Sequence, residues 1–195
     1  MDAVAALLAG GQVLLPADGV YGLCALAASE DAVHRLYELK GRGDARPTAM
    51  IAPNVEALLE AVPELGPRER AIVAALLPGP YTLVLPNPAR RYPWLNGDSP
   101  AAIGVRVALL PPATQAVLDA AGPVAATSAN EPGEPPAVAL DGVPARIRAA
   151  CGAEVDAGPL SGDPSTVVDF TGPDPQVIRA GAGSVAEALA AARLR

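Results

Sequence analysis

Helix and strand signals alternate along this chain, and its apolar runs are cut short by prolines and glycines. Gln12 to Leu15 reads as a strand ended by Pro16, and Tyr21 to Leu26 as a second. Ser29 caps a helix whose first turn holds Glu30 and Asp31; it runs to about Lys40 and stops at Gly41. Residues 2–9 form a short helix opened by Asp2, Thr48 to Ala52 a buried strand, and Asn54 caps another short helix. Pro67 starts a helix ending near Leu77. Tyr81 to Leu85 and Ala102 to Val107 are strands flanking a Pro/Gly/Asn-rich loop, Pro112 opens a helix to about Ala121, and Pro123 to Thr127 is a further strand. After a Pro-rich loop at 131–137 come a helix near 143–151, strands near 165–169 and 176–179, and a terminal helix from Ser184. The pattern predicts an α/β fold, a twisted mixed sheet with helices packed on it. No internal repeat and no dividing linker is visible, so residues 1–195 are read as one domain, a size that buries a core without staples.

A core of Ala, Val and Leu with one Phe and one Trp suits helices laid on short apolar strands. The net charge of −7 argues against non-specific grip on nucleic acid but leaves room for a local basic pocket. Cys24 and Cys151 match no metal spacing and read as reduced, buried, small apolar residues of a cytosolic protein. No Lys or Arg precedes Arg35, so no signal peptide is expected. The longest apolar run, around Ala71 to Leu77, stops at Pro78-Gly79-Pro80, short of a membrane span. A cytoplasmic location is the expectation.

Lys40 is the only lysine, in the string Leu39-Lys40-Gly41-Arg42, with Arg46 following. Where Arg serves every other cationic position, a retained Lys suits a job that needs a compact, strongly hydrated ammonium, such as binding phosphate as a point charge. Arg42 adds a planar fork for a second phosphate oxygen. The same cations also suit a charged helix end that complements the helix dipole. Loop cations of this kind support little core, so replacing them is expected to spare folding.

Other polar groups gather at the ends of apolar strands, where ligands bind in α/β sheets. Pro16-Ala17-Asp18-Gly19-Val20-Tyr21-Gly22-Leu23 is a turn in which Gly19 and Gly22 permit close approach. Pro78-Gly79-Pro80-Tyr81-Thr82 is a stiff turn into a strand, with Thr82 placed to face a ligand. Arg106, inside Ile103-Gly104-Val105-Arg106-Val107, is costly in an apolar strand unless paired; it faces water on an edge strand or holds a ligand carboxylate or phosphate. Thr127-Ser128-Ala129-Asn130 offers hydroxyls and an amide at a strand end, and Ser165-Thr166-Val167-Val168-Asp169 is followed by Arg179 in Val177-Ile178-Arg179-Ala180-Gly181. There is no Walker A loop and no G-x-S-x-G elbow. His34, the only histidine, lies mid-helix, which argues against a Ser-His triad or a multi-His metal site. The loop Arg90-Arg91-Tyr92-Pro93-Trp94 sets cations beside aromatics, as single-stranded RNA contacts do, or is a plain surface hairpin.

Taken in order over about residues 12–183, these segments resemble the YrdC-like family of threonylcarbamoyl-AMP synthases. Its patterns run close to Pro-Thr-Asp/Glu-x-Val-Tyr/Phe-Gly-Leu/Val, Lys-x-Arg, Pro-Gly-Pro-x-Thr, Val-Arg-x-Pro, Ser-Ala-Asn, Ser-Thr-Val-x-Asp and Arg-x-Gly. The chain ends soon after the last of them, like the short form without an extra C-terminal domain. The resemblance implies a concave ligand-binding surface and a nucleotidyltransferase. In that reaction threonine and bicarbonate form a carbamate, which attacks the α-phosphate of ATP, and threonylcarbamoyl-adenylate and pyrophosphate leave. Partner proteins then pass the threonylcarbamoyl group to tRNA, and direct contact with tRNA is a further expectation. It also implies roles. Lys40 and Arg42 hold the triphosphate as the catalytic cations, with Arg46 in support. Ser128 and Asn130 contact the nucleotide phosphates and a Mg²⁺ ion, and Arg179 binds the nucleotide. Arg106 grips the amino acid, with Ser165, Gly19 and Tyr21 as further substrate contacts. No protein metal site is implied.

The first motif departs from the pattern. Ala17 stands where the family has Thr, and Gly19 where many members carry a second Thr, so two hydroxyls near the amino-acid site are missing. Arg106 is followed by Val107-Ala108 in place of an immediate Pro. Besides the synthase, a paralogue that binds nucleotide or uses another amine, and an RNA-binding module, are open readings.

Overall fold

The computed structural model describes residues 2–41, 43 and 46–193. Among these residues nine strands make one mixed sheet: β1 (Val13–Pro16), β2 (Tyr21–Leu26), β3 (Ala49–Ile51), β4 (Tyr81–Pro86), β5 (Ala102–Arg106), β6 (Val124–Ser128), β7 (Ala153–Glu154), β8 (Thr166–Asp169) and β9 (Gln176–Arg179). Their order across the sheet is β7-β1-β2-β6-β3-β5-β4-β8-β9. The pairs β1–β7, β3–β5 and β4–β8 are parallel; the other neighbours run antiparallel. Among the described residues seven α-helices accompany it: α1 (Ala3–Leu8), α2 (Glu30–Lys40), α3 (Val55–Ala61), α4 (Pro67–Leu76), α5 (Pro112–Ala121), α6 (Ala145–Ala150) and α7 (Val185–Ala191).

The caps act as the sequence predicts. The side chains of Asp2, Ser29, Asn54 and Ser184 each accept a backbone N–H from the first turn of the helix that follows. Gly41 ends α2 at φ 65°, a left-handed conformation that glycine takes without strain. One strand went unread: β7 is two residues long, too short for any alternation to show.

Alternate side chains of each strand face opposite ways. One face, with Leu14, Tyr21, Leu23, Met50, Leu83, Leu85, Ile103, Val105 and Val168, is buried under α2, α3, α4, α6 and α7. On the other face α1 and α5 cover only part of the sheet, packing Ala6, Leu7, Val117 and Leu118 against Val13, Leu15, Cys24, Ile51 and Val124. The rest of that face is open and concave. Its floor is built of small residues, Gly22, Ala49, Ala102, Gly104 and Ala126, on four adjacent strands. The cavity exists because these positions carry little or no side chain.

Candidate active site

The cavity on this face has a volume of about 490 Å³, the scale of a small-molecule site. Among the residues that line it are Ala17 and Asp18 from the β1–β2 turn, Thr82, Arg106, Ser128, Ser165 and Arg179. Side chains far apart in sequence therefore converge, in two groups.

The first group lies where β6 ends. Lys40, in the last turn of α2, is buried at 6% exposure. Its ammonium donates to the Ser128 carbonyl at 2.7 Å, to the Asn130 side-chain oxygen at 2.6 Å and to the Asn130 carbonyl. The Asn130 amide nitrogen in turn donates to the Glu134 carbonyl. Lys40 thus ties the Ser128-Ala129-Asn130 turn to the end of α2 from behind the cavity wall, and Ser128 is the member that lines the cavity. A buried ammonium holding backbone carbonyls is structural as well as electrostatic, which corrects the expectation that it supports little of the fold.

The second group lies at the end of β5 and across β4, β8 and β9. Arg106 is 13% exposed and its Nη2 meets both carboxylate oxygens of Asp18 at 2.7 Å. The strand it sits on lies between β3 and β4, so the water-facing edge reading fails. The partner of Arg106 is a side chain 88 residues away that the turn between β1 and β2 carries over the sheet. Arg106 Nε is buried with no hydrogen-bond partner. Nearby, Thr82 Oγ1 and Ser165 Oγ lie 2.8 Å apart, both buried. Arg179, exposed on β9, donates through Nε and Nη2 to the Ser165 carbonyl at 3.1 and 2.8 Å. Partial burial, and then the charge of Arg106, hold its guanidinium below the usual range. Two cations and two hydroxyls therefore share one end of the cavity with the carboxylate of Asp18, which is paired with Arg106.

Tyr21 and Gly19 are placed differently from substrate contacts. The Tyr21 ring belongs to the opposite, helix-covered face. Its hydroxyl has two acceptors within reach of its one proton, Asp156 Oδ1 at 2.8 Å and the Gly158 carbonyl at 2.9 Å, and accepts from Ala157 N. The segment 156–165 so anchored runs back over the β1–β2 turn, where Gly162 N donates to the Gly19 carbonyl. A Cβ at Gly19 would stand 2.0 Å from the Asp163 carbonyl oxygen, so this approach requires glycine. Arg46 is exposed in the loop before β3, and Arg42 lies outside the described residues. Asp18 is the residue that the sequence left without a role; its one signal was the presence of an Arg in an apolar strand that needed a partner.

Cys24 is buried against the cavity, and burial pushes its thiol up to about 12, so it is a thiol and no nucleophile at neutral pH. Cys151 is half-buried, less enclosed than expected. In the loop 90–94, Arg91 is committed to Glu64 and the Trp94 indole turns inward to donate to the Ala27 carbonyl, so it presents no stacked aromatic platform. Among the described residues no cluster of three His, Cys, Asp or Glu side chains could hold a metal ion, and no helix is long and apolar enough to cross a membrane.

A family model for Sua5, YciO and YrdC proteins, described as "Telomere recombination", matches residues 5–181. The chain belongs to the Sua5/YciO/YrdC family. Among its relatives in this family, a putative threonylcarbamoyl-AMP synthase of Mycobacterium leprae is 37% identical over 189 residues, which is 95% of this chain and 84% of that protein. The threonylcarbamoyl-AMP synthase of Chromohalobacter salexigens is 36% identical over 173 residues, covering 87% of this chain and 91% of the relative. In three dimensions, P. abyssi Sua5 complexed with L-threonine matches with a TM-score of 0.88 at 28% identity over 98% of this chain. The chain spans 56% of that Sua5 chain. E. coli YciO matches with a TM-score of 0.83 at 25% identity, over 96% of this chain and 91% of that one.

Proposed function

We propose that this chain is a threonylcarbamoyl-AMP synthase that works in the cytoplasm as one domain. The observation that carries the reading is the cationic end of the cavity, Arg106 and Arg179 beside the Thr82–Ser165 hydroxyl pair, facing the turn that Lys40 stiffens. L-threonine, as its carbamate with bicarbonate, lies with its carboxylate at Arg106. ATP extends toward Ser128, with Lys40 as the positive charge behind the turn and Arg42, Arg46 and Arg179 as further phosphate contacts. A carbamate oxygen attacks the α-phosphorus, the bond to the bridging oxygen breaks, and pyrophosphate leaves with the electron pair. No protein nucleophile is needed. The work is positioning and the neutralising of phosphate charge by fixed cations. The described acids do not form a metal cluster, so Mg²⁺ is read as part of the ATP substrate, held by its phosphates, and no step is routed through it. Partner proteins would then deliver the threonylcarbamoyl group to tRNA; the inward-turned Trp94 lends no support to direct tRNA contact through its loop.

Mass spectrometry of products from ATP, bicarbonate and a mixture of amino acids tests this. Threonylcarbamoyl-adenylate should form, with pyrophosphate release dependent on threonine. Adenylate of another amine would point to the paralogue reading, and no adenylate from any amine would sink the synthase.

A further inference from the structure

The Asp18–Arg106 pair is oddly built for a stabilising ion pair. Both side chains are largely withdrawn from water, at 16% and 13% exposure, yet they border an open cavity. Both Asp18 oxygens converge on one nitrogen of Arg106, and Arg106 Nε is left buried without a partner. Dehydrating two charges is costly, and a pair that engages one guanidinium nitrogen offsets that cost poorly. What the pair does present to the cavity is a positive and a negative group side by side. A free α-amino acid carries the complementary arrangement, a carboxylate and an ammonium on one carbon. Docked head to tail, its carboxylate meets the guanidinium and its ammonium meets the Asp18 carboxylate, so that Arg106 and Asp18 each gain a second partner and each ligand charge gains one. The other acid lining this part of the sheet, Asp169, accepts from Thr171 N and Thr171 Oγ1 at 2.8 and 2.6 Å. Asp18 is the carboxylate set directly against Arg106.

We infer that Asp18 binds the amine of the amino-acid substrate while Arg106 takes its carboxylate, so that the pair selects α-amino acids over 2-hydroxy acids; this rests on the reading of the cavity as an amino-acid site. After carbamate formation the remaining N–H still donates to Asp18, so the contact persists through the reaction.

Calorimetry on the full chain tests it with L-threonine and with 2,3-dihydroxybutyrate, in which a hydroxyl replaces the amine. Wild type should prefer threonine by about tenfold or more, as expected when a charge-assisted bond is lost. Asp18→Asn should weaken threonine by a similar factor, leave dihydroxybutyrate within about twofold, and leave ATP binding in place as the check on folding. If Asp18→Asn weakens both ligands alike, Asp18 only orients Arg106 and the assignment falls, while the synthase reading stands. Wild type alone also decides: dihydroxybutyrate bound as tightly as threonine overturns the assignment whether or not the variant folds. Wild type that binds ATP but no free amino acid overturns both.

Discussion

At the end of β6 the one lysine directs its ammonium at the protein itself, onto the Ser128 carbonyl and the two oxygens of Asn130. At the end of β5 the cations are turned to the cavity: Arg106 bonded through one nitrogen, Arg179 on the rim against Ser165. The two ends hold similar residue types and use them in opposite ways. A buried charge surrounded by carbonyls shapes the wall, and its removal is first a loss of structure. A charge at a cavity surface with an incomplete set of partners shapes affinity, and its removal is first a loss of ligand. Sequence motifs do not distinguish the two, because both read as a cation beside small polar residues.

Lys40→Ala makes the largest test of that contrast. It leaves buried carbonyl and amide oxygens without their charged donor, so we expect a loss of about 3 kcal/mol, which for a chain of this size lowers Tm by about 6–12 °C. ATP turnover should fall about tenfold or more as well. A variant that melts like wild type but turns over poorly would move Lys40 from the wall into direct phosphate contact. Calorimetric melting and pyrophosphate release, measured on one preparation, separate these.

Gly19→Thr restores the hydroxyl that many family members carry, but here the added Cβ meets the Asp163 carbonyl oxygen at 2.0 Å. The segment 156–165 must shift, at about 1–3 kcal/mol by the usual scale of overpacking. Since that segment carries Pro164 and Ser165 to the cavity, threonine affinity should drop along with stability. A Gly19→Thr variant that binds threonine better than wild type, with an unchanged melt, would show that the segment yields easily and that the missing hydroxyl was the dominant defect.

These two residues also show where the sequence was legible. Caps, short apolar strands and the helix stop at Gly41 are local, written within a few residues, and they stand in the structure close to where they were read. Which residues share a face came from the structure: Thr82 and Arg106 both point to the cavity while Leu83 and Val105 point away. Long-range closures were not legible. Nothing near Gly19 announces that Asp163 will lie on it, and nothing near Tyr21 announces an anchor at Asp156. Arg106 came closest, because a lone Arg in an apolar strand demands a partner, but the demand does not say which. The acceptors of Lys40 lie 88 to 90 residues on, in a motif that looked like a ligand contact in its own right.

Arg106→Lys sharpens the second half of the contrast. The charge remains but the planar fork is lost, so the threonine KM should rise about tenfold while the ATP KM moves by less than about twofold. Stability should change little, since β5 is held by its ladder to β3 and β4. Equal shifts in both KM values would place Arg106 at the nucleotide.

Ala17→Thr is the smallest effect and the finest test. Ala17 is 8% exposed, lines the cavity and already has a Cβ, so the substitution adds one hydroxyl and one methyl to a residue at the cavity wall. One added hydrogen bond contributes about 1 kcal/mol, so threonine binding should tighten about fivefold while ATP binding stays put. The control is 2-aminobutyrate, which keeps the threonine skeleton and lacks its hydroxyl. If the new side chain reads the substrate hydroxyl, Ala17→Thr gains on threonine and not on 2-aminobutyrate. If wild type already prefers threonine over 2-aminobutyrate and the substitution adds nothing, the hydroxyl is read elsewhere, and the Thr82–Ser165 pair is the next place to look, since those hydroxyls lie 2.8 Å apart beside Arg106. Ser165→Ala should then erase the preference. That outcome would mean that the Arg106 end of the cavity recognises the whole amino acid, head group and side chain together, with nothing required of the first motif beyond Asp18.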